Sequence, residues 1–560
     1  MSAIITNKLR IFNAQQFIES VNEQTALWTT TIAYAEGDVV LHQSNLYVAV
    51  SAGTSGATAP THVTGVTSDG GVDWAFYNKS IFNSLYLGIG RKTSWPVEST
   101  PPTPLDSLDA KLTAKKDLTA LKKVNADTIT LSVPRINWTA NTSYDMHNHT
   151  VADPVIPNNY ILVEDTNQYN VYKCINNKKY KDSSVGVQSV VSTVSPTGTN
   201  STGYISTADG YVWKFMYSIK LSAALKFLTK DYFPVAYITS QPADNTSSEY
   251  AQWQVQQNAL TTAGSIDWVD IIDDGASSGH AGGSGYHPAI VMTGTSGPTE
   301  GVTELTLNIT GTANQTNAAN SLVNYALVHT NAAGETYQRK ITNWTHNSSA
   351  NTVAVVIDAA FVSGEGGGSN STIKIVPNVV LSSTDGTGFA GHAMLTGDQV
   401  SSIVISNGGS GYTFATGAVE GNVASDAATA CKILPIMSPE NGHGWNAVEE
   451  LGGYYAMIAL KLEYDEQDTR NSVTKAIFPV SGADSNFRQI VILSDPIDES
   501  TSKLAALSTY RGPAQTGHAT VGEEVFDIKK GTGKVLYIEN RQAIARAVDQ
   551  IEDIKVVFEF

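Results

Sequence analysis

The run from Tyr160 to Val235 constrains the fold of this chain more than any other segment. Residues 169–177 (Tyr-Asn-Val-Tyr-Lys-Cys-Ile-Asn-Asn) and 207–217 (Thr-Ala-Asp-Gly-Tyr-Val-Trp-Lys-Phe-Met-Tyr) are dense in β-forming side chains, among them Val171, Ile175, Val212, Phe215 and Tyr217. Pro196, Gly198, Asp209 and Gly210 supply the turns between them. A pair of twisted strands joined through loops is expected, with Trp213 and Tyr217 as packing anchors.

At 560 residues the chain exceeds a single ordinary core, so several domains are expected. Hydrophobic residues at 41% suffice to build those cores, and 46 glycines alongside abundant Thr, Ser and Asn point to strands and turns. Charged residues reach only 16%, so solubility rests on neutral polar side chains. The net charge of −17 argues against a surface built to grip phosphates, and no nucleic-acid partner is expected. Cys174 and Cys431 lie far apart without metal-ligand spacing and read as buried, reduced thiols. No basic-then-apolar leader opens the chain, and no run approaches the roughly 20 apolar residues that span a bilayer. Folding in a cytoplasm without membrane insertion is the expectation.

Charge divides the chain. Residues 241–430 hold three basic residues (Arg339, Lys340, Lys374) against fifteen acidic ones, carrying twelve of the seventeen excess negative charges. Such a step marks an inserted region. Leu305–Ile309 and Val353–Ile357 are short β-like runs bounded by turn residues, and the region reads as all-β. A weak repeat lies inside it. Gly264–Ile272 leads to Gly282-Gly-Ser-Gly-Tyr286, and Gly397–Ile405 leads to Gly408-Gly-Ser-Gly-Tyr412. The two copies are expected as paired small β units flanking a central sandwich. Residues 23–80 form a second insertion, an aromatic-rich hairpin module with strands over 38–41 and 45–50 and a turn at Gln43-Ser44.

The fold class is therefore mainly β with minor α+β content, a multidomain sandwich or barrel architecture carrying inserted all-β domains. The core parts are 1–22, 81–240 and 431–560, interrupted by 23–80 and 241–430. Helices are expected at 105–124, where Leu105, Leu108, Leu112, Leu118, Leu121 and Val124 fall at mostly helical spacing, at 222–229 and at 541–549. Lys115, Lys116, Lys122 and Lys123 read as a solvated face or a contact with an acidic neighbour.

Candidate chemistry is sparse. His147 and His149, two apart, could share one strand face and hold a divalent ion, with only Asp145 and Asp153 nearby. Both read as polar loop residues. Asp267, Asp270, Asp273 and Asp274 form the densest acidic cluster, but their spacing departs from a calcium loop, and solvent-facing aspartates on a strand are expected. Glu304 and Asp358 are isolated acids, not a glycosidase pair. Gly364–Gly368 lacks the Lys-Ser/Thr ending of a phosphate loop. His443, between two glycines, reads as a turn residue whose imidazole bonds a neighbouring chain. No catalytic, cofactor-binding or metal-binding residue is assigned, no cofactor is expected, and the chain is read as non-enzymatic.

Ordered blocks point to a family. Thr6–Phe17, Asn83–Arg91 with Trp95-Pro96 and Pro101–Pro104, the 160–235 run, Asn441–Gly444, Glu450–Ile458, Val535–Arg541 and Gln550–Lys555 appear in the order expected for one protein type. Together they resemble the baseplate wedge subunit known as gene product eight of T-even-type contractile-tailed bacteriophages. That resemblance implies a mainly β homodimer in the virion's tail baseplate, assembled in the host cytoplasm beside the counterparts of gene products six, seven and ten. It also implies a mechanical role in baseplate assembly and in the rearrangement that leads to sheath contraction. The two insertions depart from the family's shorter pattern and are expected to brace neighbouring proteins or bind host glycans. A receptor-binding or polysaccharide-degrading tail protein is the alternative.

Overall fold

Period-2 alternation sorts the side chains of strand Leu85–Gly90 onto two faces, Leu85, Leu87 and Ile89 into one core and Tyr86 into another. Phe487–Ser494 beside it does the same, with Ile490 and Ile492 on the first face and Val491 and Leu493 on the second. In the computed structural model these two strands lie side by side inside a six-stranded sheet. The structure describes residues 4–22, 26–42, 45–79, 85–151, 156, 158–178, 180–182, 186–188, 190–272, 282–312, 314–421, 430–462, 486–497, 509–511, 525–526, 529, 532–544 and 552–560. They fall into two compact units: Met1–Val133, Leu225–Ala236 and Gly453–Phe560 in the first, and Pro134–Ala224 and Tyr237–Gly452 in the second. Residues 81–240, one core part on sequence grounds, thus contribute to both units.

In the first unit a four-stranded sheet runs Tyr232–Val235, Ile129–Pro134, Tyr455–Leu462, Glu552–Glu559. Its Ile129, Ile458, Leu460, Ile554 and Val556 share a core with the first face of the six-stranded sheet, which makes a sandwich. Helix Asn7–Asn22 adds Val21, Phe17 and Ile18 to that core. Its Arg10 binds the Phe560 carbonyl at 2.6 Å and Glu559 at 2.6 Å. Within residues 26–79 Val39–His42 runs antiparallel to Asn45–Ala49 over a core of Tyr34, Val40, Tyr47, Val72 and Trp74. The turn at 43–44 lies outside the described residues.

The expected 105–124 helix is real only over Leu108–Lys116, where Ser107 caps it by accepting from the Ala110 amide at 3.1 Å. Leu118–Lys123 is instead a strand paired with Leu85–Gly90. A register shift at Ile89/Gly90 explains the misleading pattern. An extra residue in a β-bulge puts Leu118 and Leu121, three apart, into the same core, which imitates helical spacing. Leu105, Leu108 and Leu112 stay exposed. Lys115 and Lys122 reach the carbonyls of Gly533 and Lys461. Helix Leu221–Phe227 meets its expectation. Residues 541–544 end strand Lys534–Ile544 instead of starting a helix, and 545–549 lie outside the described residues.

The second unit opens with the 160–235 run. Gln168–Asn176 pairs antiparallel with both Tyr160–Asp165 and Val212–Lys220. Trp213, Phe215, Tyr172, Tyr211 and Tyr144 form an aromatic core, and Tyr217 is buried as well. Asp209 organises the turn by accepting from the amides of Thr193 (2.7 Å), Val194 (2.9 Å) and Tyr211 (3.2 Å). Burial raises its pKa, but these bonds and one from Thr207 outweigh it and hold the carboxyl down at about 2.

An eleven-stranded antiparallel system fills most of 241–430. Glu304–Asn308 and Thr352–Ile357, the two runs read from sequence, pair with Leu305 opposite Val355. The region is not all-β, however, since Ser248–Ala259 is a helix. Ser247 caps it, and it buries Val255 and Ala259 on one side together with Gln252 and Gln256. Its glutamine-rich, weakly apolar face hid it from a periodicity reading. The sheets of both units are open, and none closes into a barrel among the described residues. No described helix is long and apolar enough to cross a membrane.

The repeat is more intimate than a pair of flanking units. Tyr286 N–H donates to the Asp398 carbonyl at 3.1 Å, and Tyr412 N–H donates to the Gly264 carbonyl at 2.9 Å. The glycine turn of each copy thus closes on the strand start of the other, and both tyrosines enter one core. A Cβ on Gly282 would run into the Val400 carbonyl, and one on Gly408 would stand 2.7 Å from the Ile266 carbonyl. Glycine permits this reciprocal backbone approach.

Candidate functional site

The turn Asn441–Gly444 drives a histidine into the second unit. Gly442 and Gly444 sit at φ 82° and 91°. A Cβ at either would strike the Ala259 carbonyl or the Val255 side chain, so both positions demand glycine. His443 between them is 1% exposed. Three residues on, Asn446 caps the short helix Ala447–Leu451, accepting from Val448 N at 3.1 Å, and Gly452 ends it at φ 76°. That helix turns Glu450 back onto the loop. Its Oε1 accepts from Gly444 N–H at 2.7 Å, while Oε2 lies 3.2 Å from His443 Nδ1 and 3.1 Å from Lys173 Nζ. The Lys173 side chain, from strand Gln168–Asn176, has no exposed surface.

The other ring nitrogen of His443 faces Asp267 on strand Ile266–Ile271, with Nε2 to Oδ2 at 2.8 Å. Asp267 Oδ1 accepts from Tyr204 Oη at 3.1 Å and Ser265 Oγ at 3.2 Å. His147 completes the cluster. Its N–H donates to the Cys174 carbonyl, its Nε2 bonds the Met437 carbonyl at 3.1 Å, and its ring stands edge-on to His443 with centroids 4.7 Å apart. One donor atom each from His147, Asp267 and His443 lies within 4.8 Å of the others.

Burial disfavours the imidazolium of His443, but the charge of Asp267 and the bonds to both carboxylates outweigh burial and the opposing Lys173, so its pKa is raised. Burial and the Asp267 charge likewise push up the Tyr204 phenol. Burial lowers Lys214, against the pull of Glu450. Two carboxylates thus face one ammonium and one imidazole in a nearly dry interior. Both nitrogens of His443 are turned to carboxylates, and the hydroxyls of Tyr204 and Ser265 bond Asp267 instead of the imidazole.

These positions correct three sequence readings. His443 bonds within its own chain, because its flanking glycines turn it inward. Asp267 is not solvent-facing, since its side chain is 2% exposed. His147 and His149, read as polar loop residues, do lie in a loop, but only one of them is at the surface. His147 is buried, whereas His149 is exposed and its Nδ1 accepts from Met437 N–H at 3.3 Å. Asp270 is half-buried, and Asp153, Asp273 and Asp274 lie outside the described residues. Glu304 is exposed, and Asp358 accepts from the Lys340 amide. Cys174 and Cys431 are buried free thiols, as expected, and burial pushes Cys431 up to about 12. Sequence reasoning missed Lys173 and Glu450. The available signal was a lysine in the middle of a strand whose neighbours are all apolar enough to be core, since a buried ammonium requires a carboxylate.

A comparison with known families adds identity to this geometry. Residues 446–560 match the phage family described as Bacteriophage T4, Gp8. The likeness is to that family's sequence over the C-terminal segment of the chain. No curated protein matches the chain. The Gp8 segment begins at Asn446, the cap of the helix that carries Glu450. It continues through Tyr455–Leu462, Phe487–Ser494, Lys534–Ile544 and Glu552–Glu559, strands of the four-stranded and six-stranded sheets that make the first-unit sandwich.

Proposed function

We propose that this chain is a structural subunit of a phage tail baseplate, built into its wedge. The observation that carries the reading is the Gp8 match over 446–560, which covers the C-terminal strands of the first-unit sandwich. The exposed Leu105, Leu108 and Leu112 on and before one helix support it, because a subunit destined for assembly keeps apolar surface for its neighbours. On this reading the subunit forms a homodimer and packs against the counterparts of gene products six, seven and ten. It takes part in assembling the wedge and passes on the rearrangement that ends in sheath contraction, exchanging interfaces between two states. The role is mechanical, without turnover of a substrate. Regions 23–80 and 241–430 brace neighbouring proteins.

Reconstruction of intact tails carrying a labelled copy of the subunit tests the proposal. Density from the label at the baseplate is expected, and its absence there would end the reading. Mass measurement in solution separates the expected dimer from the trimer of a receptor-binding spike. Full-length protein on a glycan array is expected to stay unbound, and binding there would move the insertions from bracing to adhesion.

A further inference from the structure

We propose that His147, Asp267 and His443 together bind one divalent transition-metal ion of the zinc class. Two imidazoles and a carboxylate are a donor set that suits zinc over calcium or magnesium, which prefer oxygen alone. The three donors come from separate segments (a loop, strand Ile266–Ile271 and the Asn441–Gly444 turn) and lie within 4.8 Å of one another.

Two of the donors, His443 and Asp267, are also gripped from behind, as metal ligands are, and His147 is anchored on backbone. Glu450 holds His443 through Nδ1, with Lys173 behind Glu450. The Met437 carbonyl holds His147 through Nε2. Tyr204 and Ser265 hold Asp267 through Oδ1, which leaves Oδ2 directed at His443. An ion would replace the proton shared by His443 Nε2 and Asp267 Oδ2, now 2.8 Å apart. Zinc bonds of about 2.0–2.2 Å set such a pair roughly 3.3 Å apart, so the gap opens by about half an ångström. Three protein ligands leave the fourth tetrahedral position to a water, and the burial of the three side chains lets the ion tie their segments together.

Full-length protein purified without chelator, exchanged into Zn²⁺ and washed, tests this by elemental analysis, and Co²⁺ substitution tests it by visible absorption. One tightly held ion per chain and a raised unfolding midpoint are expected. The decisive variant is His147→Gln, because it leaves the contacts of Lys173, Glu450, His443 and Asp267 with one another in place and so keeps the fold. It should weaken Zn²⁺ binding by at least about tenfold, with Asp267→Asn behaving likewise. Failure of the wild-type chain to retain an ion would overturn the site. So would equal retention by a folded His147→Gln chain, which would place the metal elsewhere.

Discussion

Replacing Glu450 by Gln is the sharpest probe of the buried cluster. Glutamine keeps the shape and can still accept from Gly444 N–H, but it removes the carboxylate that lies 3.1 Å from Lys173 Nζ, whose side chain has no exposed surface. Removing one partner of a buried pair costs about 3–5 kcal/mol because the other charge stays behind without compensation. The second unit, of about 300 residues, has an unfolding entropy of roughly 0.6 kcal/mol per kelvin, so the unfolding midpoint should fall by about 5–8 °C. Differential scanning calorimetry at pH 7 measures this, with Glu449→Gln as control: that residue is exposed and should move stability by no more than about 0.5 kcal/mol. The double variant Lys173→Met with Glu450→Gln should recover most of the loss, since no lone charge remains. A Glu450→Gln midpoint within about 1 °C of wild type would refute the reasoning.

Gly282→Ala and Gly408→Ala should each destabilise the second unit by about 1–3 kcal/mol, because each added methyl meets a backbone carbonyl of the other repeat copy; urea unfolding tests it, and neutral behaviour at either would show that the turns yield. Burial, helped by Lys374, pushes His392 down to about 4. Its folded pKa is depressed, so its contribution is present above pH 6.5 and is lost as pH falls from 6.5 toward 4, by up to roughly 3 kcal/mol; His392→Gln should flatten that slope in urea midpoints. Asp209, held at about 2, contributes stability above its unfolded pKa of 3.8 that is lost only below it. Asp209→Ala should therefore destabilise at neutral pH and narrow the gap to wild type near pH 2. Trp213→Ala, which empties the centre of the aromatic core, should cost about 3–5 kcal/mol by calorimetry, and a smaller loss would mean the core collapses around the gap.

Much of this architecture could be read along the chain, for a local reason. Strands such as Gln168–Asn176 and Val212–Lys220, the hairpin module of residues 26–79 and the glycine turns carry their instructions within a few residues, as side-chain alternation and turn chemistry. The errors came where a partner strand supplied the geometry. Leu118 and Leu121 match a helix by spacing and a strand by pairing, and the bulge opposite Gly90 decided between them. Helix Ser248–Ala259 is polar on paper and was hidden until glutamines could be buried against backbone, as Gln256 is against Ile238.

Sequence by itself determined that the chain is mainly β, that it is acidic over 241–430, and that its closing segment resembles the Gp8 family, because these follow from composition, periodicity and ordered motifs. Only the tertiary structure decided that His147, Lys173, Asp267, His443 and Glu450 meet. Lys173 and Glu450 are 277 residues apart, and Asp267 and His443 are 176 apart. Nothing in local propensity encodes such a meeting. It arises when packing removes water from two carboxylates, leaving a lysine and a histidine as the groups that compensate them.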